Sequence, residues 1–251
     1  PYFSQFLKWR TLPELLALRD RGGLPLLEWG YLILVATFAL ALLSSFLFLI
    51  LPLWLRHRTA SSGRTERWRY LAYFSAVGMA FMFIEIAFIQ KFVLFLSHPL
   101  YAVAVVLSAF LVFAGMGSLS SARLRDVVSM RVIASGIALL CILYLLLFPA
   151  LFDGLVHLPD GLKVPLSVLL IAPLAFLMGI PFPNGLALVS ERTPGWIPWA
   201  WGINGCASVV SAILATILAV HFGFAFVVIM AVLLYLLAAM VSRDTDAPGP
   251  P

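Results

Sequence analysis

Apolar residues in this chain fall in long unbroken runs separated by short polar stretches. Seven such runs are present, at residues 29–55, 70–95, 100–118, 131–152, 164–180, 200–220 and 224–241. A helix rises about 1.5 Å per residue, so about 20 apolar residues cross the ~30 Å hydrocarbon core of a bilayer. A membrane barrel would show shorter segments of alternating polarity instead. The pattern predicts an all-α fold, a polytopic transmembrane helix bundle of about seven spans, with residues 29–241 as the membrane domain.

The punctuation between the runs supports that division. Ser97-His98-Pro99 turns the chain after the second run, because proline cannot continue a helix. The third run ends in Gly115-Met116-Gly117-Ser118, followed by Arg123 and Arg125. Residues 153–163 link the fourth run to the fifth. Pro181-Phe182-Pro183-Asn184-Gly185 then reads as a sharp helix end at the cytoplasmic surface, since proline is common just beyond helix C-termini. The alternative is a broken helix at membrane depth, which exposes backbone dipoles and can build transporter sites. Residues 186–199 are expected to be a connector with a short surface helix, and His221-Phe222-Gly223 a tight turn.

Both ends differ from the middle. Residues 1–28 mix aromatic, basic and acidic side chains; Thr11-Leu12-Pro13-Glu14 resembles a capping box, and residues 14–21 then read as a short amphipathic helix stopped by Gly22-Gly23. That segment suits the membrane surface, or the tail of a preceding domain. Residues 242–251, with three prolines, are expected to be a disordered tail. A start at Pro1-Tyr2-Phe3, with no leader pattern, gives the expectation of a piece of a longer polypeptide.

Composition agrees with a membrane location. Hydrophobic residues make up 63% of the chain and charged residues 11%, against about 45–50% and about 25% in soluble domains. The net charge of +5 does not signal nucleic acid, because the arginines cluster at the ends of apolar runs, where orientation and anionic lipids account for them. Arg56, Arg58, Arg64, Arg67, Arg69, Arg123, Arg125, Arg131, Arg192 and Arg243 share one side of the predicted topology, and Lys91 and Lys163 the other. The positive-inside rule therefore puts the C-terminus in the cytoplasm of a bacterial inner membrane. Seven spans then leave residues 1–28 outside, in conflict with their own basic charge. Cys141 and Cys206 lie in separate apolar runs and read as small buried hydrophobes.

Few residues offer chemistry. Glu85 stands in the second run, where an ionised carboxylate costs about 2.5–3.5 kcal/mol on insertion scales. Ser75, Gly78, Met82, Glu85, Ile89 and Phe92 share one helical face, and the small residues on it invite a neighbouring helix. Glu85 is therefore expected inside the bundle, either as a cation or proton site or as a structural carboxyl. Gln90 and Lys91 lie on other faces. Lys91 reads as snorkelling to the outer interface, with a joint role beside His98 at a cavity mouth as the alternative. In the sixth run Asn204, Ser208, Ser211 and Ala215 form a small polar stripe, and Asn204 is the expected partner of Glu85. The chain has no CxxC, HExxH or GxSxG, its four histidines are scattered, and no cofactor or metal is expected. Trp196, Trp199 and Trp201 fit an interfacial belt.

Two stretches resemble a known family. Residues 78–124, GMAFMFIEIAFIQKFVLFLSHPLYAVAVVLSAFLVFAGMGSLSSARL, and Leu177-Met178-Gly179-Ile180-Pro181-Phe182-Pro183 with 198–208, PWAWGINGCAS, are similar to patterns in bacterial integral membrane spermidine-synthase-like proteins. The membrane part also loosely resembles a major-facilitator half. The resemblance covers residues 70–125 and 175–225 and marks Glu85, Gly117, Pro183 and Asn204 as pattern positions. It implies a parent in which a soluble aminopropyltransferase-like or methyltransferase-like domain joins the membrane helices. That domain's nucleotide-binding sequences are absent from the chain given, so no catalytic activity is carried over.

Two functional expectations follow. One is a membrane domain that binds or moves a small cationic or amphipathic solute, with Glu85 as counter-charge, Asn204 and Ser208 as polar partners, and Gln90, Lys91 and His98 as further binding candidates. Gly115, Gly117, Pro181 and Pro183 are structural positions in that reading. The other is a structural or accessory subunit packed against a larger electron-transfer or photosynthetic complex. A third, weaker expectation is a lipid or quinone site among the aromatics of residues 81–95. Membrane lipids are expected partners in every case.

Overall fold

In a computed structural model, residues 29–50, 64–155 and 157–243 are described. The expected helix at 14–21, Arg56 and Arg58, and all of the tail beyond 243 lie outside them. The described residues form an all-α polytopic bundle with no strand. Helix α1 is Trp29–Ser45 and continues as a π-helical turn, Phe46–Ile50. Helices α2 (Arg64–Leu96), α3 (Pro99–Leu124), α4 (Met130–Leu155) and α5 (Asp160–Met178) follow. After α5 come α6 (Pro181–Arg192), a 3₁₀ turn (Pro194–Trp196), α7 (Ile197–Phe222) and α8 (Phe224–Arg243). Six helical stretches are long and apolar enough to cross a membrane, and a seventh, Ile33–Phe48, is shorter.

The turns have local causes. Between α2 and α3, Ser97 takes φ +58° and Pro99 opens the next helix, where its missing N–H costs no bond. Between α7 and α8, Gly223 takes φ +84°, a left-handed conformation that glycine adopts without a Cβ penalty. Pro149 in α4 and Pro165 and Pro173 in α5 lie inside helices, which neighbouring helices make tolerable in a membrane.

Helix α2 is the centre of the bundle and packs against α7, α8 and α3. Its buried Phe88 meets Phe110 of α3 at 5.7 Å, Tyr144 and Phe148 of α4 at 5.8 and 5.5 Å, and Phe224 of α8 at 6.4 Å. Phe81, Phe88, Phe92 and Phe95 are thus taken up by ring-on-ring packing. A cleft of about 500 Å³ lies instead between α1 and α7, bordered by Ala41, Ser44, Gly202, Gly205 and Cys206.

Helices α3 and α5 cross with their backbones in contact. A Cβ on Gly117 would strike the Phe176 carbonyl, and one on Gly179 would strike the Ala114 carbonyl. Gly115 faces the other way and has open space around it.

The end of the fifth span departs from the expectation. The chain does not leave the bundle at Pro181. Gly179 keeps helical dihedrals and bonds Ala175 at 3.1 Å, and the Asn184 N–H bonds Ile180 at 3.3 Å. Helix α6 then buries Pro181, Asn184, Gly185 and Val189 along one face. The stretch expected as a connector, 186–199, is therefore mostly α6 and the start of α7. Helix α5 does end at Met178, and the two prolines fall in the first turn of α6, where a missing N–H costs no bond; α5 and α6 follow each other as one interrupted apolar span, 161–192.

Candidate functional site

The face predicted on α2 is the face that α7 covers. Gly78 makes this possible: a Cβ there would lie 2.7 Å from both Nδ2 and the carbonyl oxygen of Asn204, and 3.1 Å from the Ser208 hydroxyl. Asn204 donates from Nδ2 to the Phe74 carbonyl at 3.1 Å. The expected pairing of Asn204 with Glu85 is therefore not made. The physical reason is axial register. Tyr70 meets Trp196 at 5.8 Å and Phe74 meets Asn204, so α2 and α7 run in the same direction. Glu85 comes two turns after Gly78, level with Ser211 and Ala215 of α7, both fully buried. The Ser211 hydroxyl donates to the Ser208 carbonyl at 3.0 Å.

Glu85 itself is inside the bundle, 6% exposed. It makes no hydrogen bond or ion pair with any described residue. It is the one buried acidic side chain among the described residues.

The other candidates scatter. Gln90 is half-buried on a different face of α2. His98 is exposed in the α2–α3 turn, with its ring 6.2 Å from that of Tyr101. Lys91 does not join His98. Its ammonium turns onto aromatic rings, 5.6 Å from the centroid of Phe224 and 6.0 Å from that of Phe152. Among the pattern prolines, Pro181 is buried and Pro183 half-buried; the Pro181 carbonyl accepts from the Tyr73 hydroxyl at 2.7 Å. Cys141 and Cys206 are both free. Among the described residues no three His, Cys, Asp or Glu side chains come together in a metal-binding group. Of the tryptophans, Trp201 is well exposed while Trp196 is buried against Tyr70.

Two buried polar groups escaped the sequence reading. The Oδ1 of Asn184 and the hydroxyl of Tyr235 have no hydrogen-bond partner among the described residues. Asn184 sits in a Pro-Asn-Gly run that reads as turn chemistry, and Tyr235 in an apolar run that reads as packing. Neither pattern carries a signal of an unpaired group.

The described fold is that of a polytopic helical membrane bundle. Compared with family models, curated proteins and solved structures, the chain matches none.

Proposed function

We propose that this chain is the membrane domain of a protein that binds or moves a small cationic or amphipathic solute, with Glu85 as the counter-charge. The observation that carries this reading is the burial of Glu85 in the bundle without an ionic or hydrogen-bonding partner among the described residues. Removing a carboxyl from water without a partner is costly, and a cation or a proton offsets that cost. Ionisable residues within membrane spans commonly mark ion or solute pathways. On α7 the residues at about the same level, Ser211 and Ala215, are small and buried.

In this reading the domain adjoins a soluble synthase-like domain in a bacterial inner membrane, as the motif resemblance implies, and the arginine count favours its arginine-bearing end and C-terminus in the cytoplasm. The test uses the purified chain in lipid nanodiscs, titrated with butylammonium chloride against sodium chloride at equal ionic strength. Saturable binding that disappears in Glu85→Gln, with helical circular dichroism and elution volume unchanged, supports the reading. Binding that survives the substitution removes it.

A second reading, an accessory subunit of a larger membrane complex, is favoured by one feature: α7 has the least covered span of the six, with Trp201 and Val209 facing outward. Purification in mild detergent separates the two. A partner recovered in fixed ratio, together with indifference to Glu85→Gln, supports the subunit reading.

A further inference from the structure

At the arginine-poor end of the bundle, three cation–π contacts gather on one aromatic group. Such contacts occur roughly once per 70–80 residues, so three in one place mark an environment suited to ammonium groups. Phe95 and Phe152 stack at 4.6 Å with their planes 18° apart. The Lys163 ammonium lies 5.7 Å from Phe95. The Lys91 ammonium lies between Phe152 and Phe224, within about 6 Å of both, the range in which the ring quadrupole attracts a cation.

Lys91 has an alternative. It stands one turn from the end of α2 on a flexible four-carbon stem, long enough to carry its charge out to water. The ammonium turns inward instead. Lys91, Phe152 and Phe224 are all half-buried, so the group lies at the edge of the bundle and is partly open to its surroundings. Asp153, next to Phe152, is exposed at that rim.

We propose that Phe152 and Phe224 form a subsite for alkylammonium groups, and that Lys91 fills it as a tethered cation until such a ligand displaces it. The proposal rests on the solute reading for the sign of the ligand's charge. It concerns a different place, about 9 Å along α2 from Glu85. Quaternary ammonium groups suit the subsite best, because they are held through ring faces without hydrogen bonds. The displaced Lys91 ammonium stays tethered, so the ligand adds one positive charge; the stem carries the ammonium into water, where solvent and salt screen it from the ligand.

The sequence contains three lysines, Lys8, Lys91 and Lys163, which makes displacement directly observable. Reductive methylation with ¹³C-formaldehyde labels each amine and keeps its charge, and Lys→Arg variants assign the signals. In nanodiscs the Lys91 methyl signal is expected upfield of its solvent position, shifted by the rings. Tetramethylammonium chloride should move it toward that position, while sodium chloride at equal ionic strength does not. The Phe152→Leu/Phe224→Leu variant should show neither the shift nor the response. Lys91→Gln should bind tetramethylammonium about tenfold more tightly, since the competing occupant is gone.

The Glu85→Gln variant separates this proposal from the reading it builds on. Displacement of Lys91 that persists there, while butylammonium binding proves indifferent to Glu85→Gln, leaves the subsite standing and removes the Glu85 reading. A Lys91 signal that does not move with tetramethylammonium, or a Lys91→Gln variant that binds no more tightly, overturns the subsite. So does a response that vanishes with Glu85→Gln.

Discussion

Gly117 and Gly115 stand two residues apart in one motif and have opposite structural weight. Two helical positions are about 200° apart, so only one of the pair can face a given neighbour. Gly117 faces α5, where a Cβ would strike the Phe176 carbonyl. Because that obstacle is backbone, relief requires the helices to separate. Gly117→Ala should therefore destabilise by about 1–3 kcal/mol, as overpacking does. Gly115→Ala should be neutral or gain up to about 1 kcal/mol of helix propensity, since nothing lies near its Cβ. Thermal unfolding of both variants in the same detergent checks this, and equal midpoints would remove the assignment. The sequence singles out both glycines but not which of them bears on a neighbour. Glu85 was legible for a different reason: a charge inside an apolar run is visible without any tertiary information. Its pairing was not legible, because helical periodicity gives the face of Asn204 and says nothing of how far along α2 that face lies. Asn204 lies level with Gly78, where the absence of a side chain opens room for it.

Among the elements, the junction of α5 and α6 shows what proline leaves unsaid when membrane helices are read one at a time: it marks the break but not where the chain goes next. Pro181 and Pro183 remove two donors, which in an isolated helix argues for an end. In the bundle, the Tyr73 hydroxyl on α2 bonds the Pro181 carbonyl, and Gly185 accepts the Tyr73 ring where a Cβ would collide with it. The segment is thus held from outside, by a residue more than a hundred positions away in sequence. The hydrogen bond fixes the ring, so the ring cannot yield to an added methyl. Gly185→Ala should destabilise by about 1–3 kcal/mol alone and by much less in a Tyr73→Ala background, where the obstructing ring is gone. A double-mutant cycle on unfolding midpoints measures that coupling, and additive costs would show that the two residues act separately. The existence and type of the long helices were legible, because runs of apolar residues leave a bilayer-spanning chain few alternatives. The break at the prolines was legible too; that the chain stays packed in the bundle beyond it was not, because its cause lies on another helix.

For the whole molecule, charge and aromatic character divide the bundle into two unlike ends. Arg67, Arg69, Arg123, Arg125, Arg131 and Arg192 lie at or near the ends of helices on one side. There Arg69 donates to the Val241 carbonyl at 3.0 Å, joining the start of α2 to the end of α8. Arg125 meets Glu191 at 2.6 Å, joining the end of α3 to the end of α6. Both members of that ion pair are exposed, so it contributes about 1 kcal/mol or less and weakens with salt. The opposite end holds Lys91 and Lys163 against phenylalanine rings. Side chains engaged within the fold are poor topology signals, since their placement has a reason besides the translocation of loops. Those two lysines therefore weigh little in the count, whereas the exposed Arg123 and Arg131 weigh fully. On the orientation proposed above, the positive-inside rule leads us to expect the α3–α4 turn in the cytoplasm and the α2–α3 turn outside. Cysteines placed at the exposed positions His98 and Asp126 test this in intact bacterial cells. A membrane-impermeant maleimide should label His98→Cys directly and Asp126→Cys only after permeabilisation. The reverse pattern would invert the bundle and put the aromatic subsite, with Lys91, on the cytoplasmic side. An alkylammonium ligand would then reach that subsite from within the cell, so the topology also decides from which side it must be added.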